Sequence, residues 1–337
     1  MSAVTAPTDG RSPAAPTRRP TVLRDLARRV PYFVPALVAV AIVVAFTVAE
    51  DPQFLVGGWE RVLVYAAPLL LLAMAQAPVV LSGGGGLDLS VGPAAGLVSA
   101  LIAAVLIPNG MSVAWFVVLA AVVLGAAVGT LNGALVTLVR IPPIIATLAT
   151  YLVFAGLATQ VLGAPTGSLP AWMSWFTDVD GPVPNVLWVL LGVGAVWWLL
   201  TRTAYGRNLL FVGSNDRAAY TAGVNVTAVR FLAYLITGVM AGIGGLVLTA
   251  VLGGADATVG PTYTLQTVAA VALGGISLAG GRGGLFGAAV GGVLLFLIQN
   301  YLTLTQASSF VLQMAYGVVL IVAIVANGAW DRKRKAR

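Results

Sequence analysis

A single carboxylate, Asp88, lies at the edge of a long apolar run, within Gly85-Gly-Leu-Asp-Leu-Ser-Val-Gly92. An acid in that place can accept amide hydrogens at the start of a helix, where the backbone dipole is positive. Contact with a solute or a gate is its alternative role. Ser90, Asn132, Gln266, Gln299 and Asn300 complete a short inventory of polar groups able to line a path, with Gln160 as a further candidate. For each amide, an interhelical hydrogen bond is the competing use. The inventory contains no catalytic set. The chain has no His and no Cys, which removes imidazole and thiol catalysis, haem and ordinary zinc sites. Lysine occurs only at Lys333 and Lys335, and no Gly-x-x-x-x-Gly-Lys phosphate loop is present. These residues point to a non-catalytic protein without metal or cofactor, in which any ATP is bound by a partner.

The elements that position these groups are bilayer spans. Hydrophobic residues make up 59% of the 337, charged residues 9%, and mean hydropathy is +0.97. Soluble domains carry about 25% charge. The apolar runs are continuous rather than alternating, which excludes an outer-membrane barrel. Ten runs of spanning length fall near 32–50, 61–82, 88–107, 111–139, 143–163, 185–201, 230–252, 264–281, 285–303 and 309–327. With the N-terminus inside, seventeen of the eighteen Lys and Arg face the cytoplasm and only Arg61 faces out. This division predicts both termini cytoplasmic. The net charge of +7 therefore reports orientation and not nucleic-acid binding. Residues 1–30, rich in Pro, Ser, Thr and Arg, read as a disordered basic cytoplasmic tail. The membrane-spanning body occupies 31–327, and 328–337 form a second basic tail.

One polar stretch interrupts the spans. Residues 202–229 carry Arg202, Arg207 and Arg217, with Arg230 just beyond. Its centre, Asp216-Arg-Ala-Ala219 followed by Gly223, predicts a short exposed helix closed by a glycine. Such a helix suits docking to a soluble partner. Gly206, Arg207, Gly213, Asn215, Arg217, Ala218, Ala219 and Gly223 are its candidate residues. The small side chains of Ala218 and Ala219 are expected to let it seat in a partner's groove.

Forty glycines supply a second signal. Gly125, Gly129 and Gly133, and Gly283, Gly287 and Gly291, recur every four positions and predict smooth helix faces, for packing within the chain or between subunits. Internal echoes are faint. Leu138-Val-Arg-Ile-Pro-Pro-Ile-Ile145 and Leu304-Thr-Gln-Ala-Ser-Ser-Phe-Val311 fall on opposite sides of the membrane, as two inverted five-span halves require. Residues 85–92 also echo Gly274-Gly-Ile-Ser-Leu-Ala-Gly-Gly281, but on the same side. The first echo is preferred, since an odd number of spans per half forces inversion.

Four ordered motifs between Pro31 and Asn327 carry a family resemblance. They are Leu81-Ser82 with 85–92, Ile141-Pro-Pro-Ile-Ile-Ala-Thr-Leu-Ala149, the segment from Gly206 through Val212-Gly-Ser-Asn-Asp-Arg-Ala-Ala219 to Asn225, and 269–283. Together they resemble the sugar-type permeases of ABC importers, of the ribose, xylose and galactose group. The resemblance implies a type II, ten-span helical fold and a cytoplasmic ABC ATPase pair docking near 206–224. It also implies a second permease copy or paralogue, an extracytoplasmic solute-binding protein, and a place in a prokaryotic inner membrane among lipid. It departs from the pattern in two extra glycines before Leu87, in Ala77-Pro78, and in Thr264 and Gln266 where an acid pair is usual. The expected cargo is a small neutral solute, a monosaccharide first. A nucleoside or branched-chain amino acid is the alternative within this class. An ion-coupled secondary transporter would need a titrating site at mid-membrane, which the sequence does not supply.

Overall fold

The computed structural model describes residues 34–335 apart from 165, 166, 168 and 182. The expected tail at 1–30 lies outside the described residues. Among them every regular element is helical. The first five α-helices are α1 (Val34–Glu50), α2 (Gly58–Leu81), α3 (Val91–Leu101), α4 (Ala114–Thr137) and α5 (Pro143–Leu162). Then follow α6 (Val186–Arg202), α7 (Ala204–Ser214), α8 (Asp216–Thr221), α9 (Val226–Leu252), α10 (Val259–Leu273), α11 (Leu285–Leu304) and α12 (Ser309–Lys335). Each of the ten apolar runs contains one helix, and α7 and α8 fill the polar stretch. The last helix continues to Lys335, so residues 328–335 extend it and form no separate segment.

Helix length divides the ten runs into long and short helices. Among the described residues five helices, α2, α4, α5, α9 and α11, are long and apolar enough to cross a bilayer, and a sixth span forms if α6 and α7 are counted together. Glycine explains the clearest shortfalls. Gly83, Gly84 and Gly85 have φ of 68°, 65° and 74°, and Gly275, Gly280 and Gly281 have φ of 73°, 93° and 70°. That conformation cannot continue a right-handed helix. The run at 264–281 therefore ends as helix at Leu273, while the run at 88–107 starts as helix only at Val91, after the Asp88–Ser90 turn that follows the three glycines. With its π turn over Ile102–Leu106, α3 is about 24 Å long, and α10 about 22 Å, against a hydrocarbon core of ~30 Å.

The core is a column, α2, buried from Ala66 to Leu81, as a helix apolar all round must be. Contacts around it come in exchanged pairs. Helix α2 lies on α9, and α3 crosses α10. Helix α4 packs on α9 as α11 packs on α2, and α5 packs on α3 as α12 packs on α10. This exchange is what two inverted halves produce.

Local geometry fixes the symmetry axis. Asp88 Oδ1 accepts from the Ser90 amide (2.8 Å) and hydroxyl (2.6 Å) immediately before α3. Asp256 Oδ1 accepts from the Thr258 amide (2.8 Å) and hydroxyl (2.7 Å) immediately before α10. Asp88-Leu-Ser-Val-Gly-Pro93 and Asp256-Ala-Thr-Val-Gly-Pro261 are therefore counterparts. Their glycines meet each other: a Cβ on Gly92 would strike the Gly260 carbonyl, and one on Gly260 would lie 2.9 Å from the Gly92 oxygen. The echo of 85–92 in 274–281 has a different meaning, since those loops touch, with a Cβ on Gly280 striking Gly83.

The glycine stripes pack inside the chain. Side chains at Gly125, Gly129 and Gly133 would run into Gly238, Tyr234 and Phe231 of α9. Gly287 and Gly291 lie against Gly274 and Ala270. Gly283 does not share their helix face, because it sits in the preceding loop with φ of 128°.

Candidate functional site

The polar stretch folds into a knuckle. Helix α6 stops where Thr203 turns extended, and its hydroxyl closes the end by donating to the Leu200 oxygen at 2.6 Å. Helix α7 leaves at 80°. Asn215 caps α8 by accepting the Ala218 amide at 3.0 Å, and Asn225 caps α9 by accepting the Ala228 amide at 2.9 Å. Gly223, with φ of 82°, ends α8 as expected. Its amide donates to the Tyr220 oxygen, and the Val224 amide to the Ala219 oxygen, both at 3.0 Å.

Burial corrects the expected docking face. Ala219 has no exposed surface and belongs to the chain's own core. Its small size lets α8 seat on this chain, not on a partner. Gly206 is buried too, with no room for a Cβ against Thr201. Arg207, Asn215 and Arg217 are exposed and Ala218 is half-buried. Tyr220, not singled out in the sequence, is 74% exposed, more than the other large apolar side chains of the knuckle, Leu210 and Phe211.

Beneath the knuckle three segments converge on Gly213. A Cβ there would fall on the Leu81 oxygen and lie 2.5 Å from the Gly281 nitrogen. The Gly281 amide itself donates to the Leu81 oxygen at 3.0 Å. Helix α7 thus touches both the loop that leads into α3 and the loop that leaves α10. Arg230 ties the same region from α9, donating to Asp216 Oδ2 (3.2 Å) and, through Nε, to the Ser82 oxygen (3.4 Å). Its role was legible only as a charge. Its partners, fourteen and 148 positions away, have no sequence signature.

The structure brings Asp88, Ser90 and Asn132 together. Asp88 is 3% exposed, and Asn132 Nδ2 donates to Ser90 Oγ (2.7 Å) and Asp88 Oδ2 (3.2 Å). With its amide turned to satisfy both groups, Gln76 donates to the Asp88 backbone oxygen (3.0 Å) and accepts from its nitrogen (3.1 Å). Thr147 of α5 donates to the Leu87 oxygen at 3.3 Å. Helices α2, α4 and α5 therefore clamp the turn that starts α3. Gln76 was the missed member, and its signal was a lone amide within an unbroken apolar run. Gln266 is buried on α10, while Gln299 and Asn300 are half-buried near the end of α11. None of the three shares a hydrogen bond with the Asp88 cluster among the described residues.

Beyond the geometry stand the comparisons with known proteins. Residues 58–326 match the family described as branched-chain amino acid transport system / permease component. The ribose import permease RbsC of Bacillus subtilis is 36% identical over 278 residues, 79% of this chain and 82% of the relative. RbsC of Escherichia coli K12 is 30% identical over 302 residues, covering 87% of this chain and 92% of the relative. The autoinducer 2 import permease LsrC of Salmonella choleraesuis is 33% identical over 306 residues, covering 87% and 84%. No solved structure matches. The matched region runs from the first turn of α2 into α12, so it includes the Asp88 turn, the knuckle and both glycine loops. The chain belongs to this family of transport-system permease components and is a multi-pass inner-membrane transport subunit.

Proposed function

We propose that the chain is the permease subunit of an ATP-driven ABC importer and that its cargo is a small neutral solute, a monosaccharide first. The observation that carries this reading is the convergence at Gly213. A partner pushing on α7 and α8 acts directly on the loops that hold α3 and α10. Paired cytoplasmic ATPases would dock on the exposed face of Arg207, Arg217 and Tyr220. A second permease copy would complete the path, and a solute-binding protein would deliver cargo on the opposite side. ATP would be bound and hydrolysed by the partners, whose closure must bind one permease conformation better than another to drive it. Both termini and 202–229 would then face the cytoplasm.

The neutral cargo is supported by charge. A zwitterion buried in the bilayer needs counter-charges. Asp88, the acid in the interior, is enclosed by hydrogen bonds from Ser90 and Asn132. Relatives named for ribose and D-allose transport favour a sugar over a nucleoside or branched-chain amino acid. The test is uptake in proteoliposomes with a partner ATPase and binding protein. Sugar uptake is expected to need ATP and to survive collapse of the proton gradient. Uptake that follows the gradient without an ATPase would overturn the reading.

A further inference from the structure

A cavity of about 320 Å³ opens beside the Asp88 loop, bordered among others by Gly84, Arg140, Val226, Thr227, Arg230 and Tyr234. Small-ligand sites begin near this size, at roughly 300 Å³. Its walls are rich in donors. Arg140 is exposed, and its guanidinium has no hydrogen-bond or ion-pair partner among the described residues. Arg230 is only partly committed, to Asp216 and the Ser82 oxygen. The Gly84 amide, exposed, makes no backbone hydrogen bond among the described residues. Gly84 also leaves room for Arg230, whose guanidinium occupies the space a Cβ would need.

Two further features point the same way. Val226 and Thr227 form the first turn of the 27-residue α9, so the positive end of that helix faces the cavity. The Asn225 side chain satisfies only the Ala228 amide there. Tyr234, 1% exposed, has a hydroxyl without any hydrogen-bond partner among the described residues. A buried hydroxyl left unpaired costs free energy unless a ligand or water meets it.

Two guanidiniums, a free amide, a helix N-terminus and an orphan hydroxyl offer many donors and little negative charge. A neutral sugar would leave those charges uncompensated. A phosphate offers several acceptor oxygens and matches the planar fork of arginine. We propose that this cavity binds a phosphate-bearing anion, either the headgroup of an anionic phospholipid or a soluble phosphate. Because Arg230 also holds Asp216 of α8, an anion on Arg230 competes for the tie between α8 and α9. Occupancy would therefore bear on the knuckle from within the permease.

The test uses the full chain in phosphatidylcholine nanodiscs, with Tm followed as inorganic phosphate replaces chloride at constant ionic strength. A parallel set replaces part of the phosphatidylcholine with phosphatidylglycerol. A rise in Tm with phosphate alone identifies a soluble anion, and a rise that needs phosphatidylglycerol identifies a lipid headgroup. Either outcome supports the site. Arg140→Asn removes the charge with a side chain that tolerates φ of 66°. It should weaken the response about tenfold or more, as loss of a charged hydrogen bond does. Tyr234→Phe, which removes only an unpaired hydroxyl, should also weaken the response while leaving Tm in the absence of anion unchanged or higher, and it stands in should Arg140→Asn fail to fold. No response to either anion overturns the proposal. So does a response as large in the variants as in the parent, which would indicate an adventitious ion only.

Discussion

Arg140 and Gln306 hold the same place in two turns from opposite halves of the chain. Each is the third residue of its echoed stretch, and each has a left-handed backbone, with φ of 66° and 56°. They are the two non-glycine residues to do so among the described residues. One turn joins α4 to α5 and the other joins α11 to α12, so the strain recurs because the turn recurs.

Left-handed backbone costs a residue with a Cβ about 1 kcal/mol. Gln306→Gly is therefore expected to hold or raise Tm in detergent, and Gln306→Val to lower Tm, at a cost of about 1–2 kcal/mol in stability. Thermal melts of the two variants decide this, and the reverse order would refute the turn geometry.

The paired aspartates should differ in cost despite equal roles. Asp256→Ala removes a partly exposed turn cap and should cost about 1 kcal/mol. Asp88→Ala takes the buried acceptor from the Ser90 amide and hydroxyl, leaving Asn132 bonded to Ser90 alone, and should cost about 2–4 kcal/mol. Equal losses in Tm would mean that the Asp88 cluster is open to water.

Helix crossings give a third comparison. A Cβ on Gly238 would strike the Gly125 oxygen and lie 2.5 Å from the Gly129 nitrogen, whereas Gly194 has nothing within 4 Å. Gly238→Ala should destabilise by about 1–3 kcal/mol. Gly194→Ala should be neutral or stabilise by up to about 1 kcal/mol. Melts of the purified variants read both effects.

Docking is tested on the exposed face. Arg217→Glu and Tyr220→Ala should leave the chain folded and inserted while weakening capture of its ATPase. Ala219→Glu should instead fail to fold, because Ala219 has no exposed surface. Normal pull-down and uptake with both surface variants would place coupling elsewhere.

Orientation rests on the division of basic residues. Cysteines introduced at Ser214 and Ser174, both exposed, should react with an impermeant maleimide from opposite sides of the membrane. Ser168, a natural choice for the outer loop, lies outside the described residues. Reaction of both from outside would refute cytoplasmic placement of the knuckle.

Much of the architecture was legible because bilayer burial writes itself into composition. All ten apolar runs hold a helix, and Asp216 through Gly223 did predict a capped, glycine-ended turn. The misreadings share a physical cause. The runs at 88–107 and 264–281 are apolar enough to be spans, yet hydropathy is blind to the Asp88–Ser90 turn that delays the first helix and to the positive φ of Gly275 that ends the second. Ala219 was placed on a partner because a small residue fits any groove, its own chain's included. The counterpart of Asp88 was missed although Asp, Ser/Thr, Val, Gly and Pro recur at five of six positions, because the paired glycines of 85–92 and 274–281 offered a more conspicuous echo. Arg230 acts through partners distant in sequence, which no local pattern reveals.

The contact at Gly213 has a consequence for degrees of freedom. Three segments from different parts of the chain share one point with no spare volume, so none can slide without displacing the other two. The loop entering α3 and the loop leaving α10 are therefore geared to α7. A single displacement of the knuckle becomes a simultaneous displacement of one short helix from each half, and the two halves are left one joint motion in place of two separate ones.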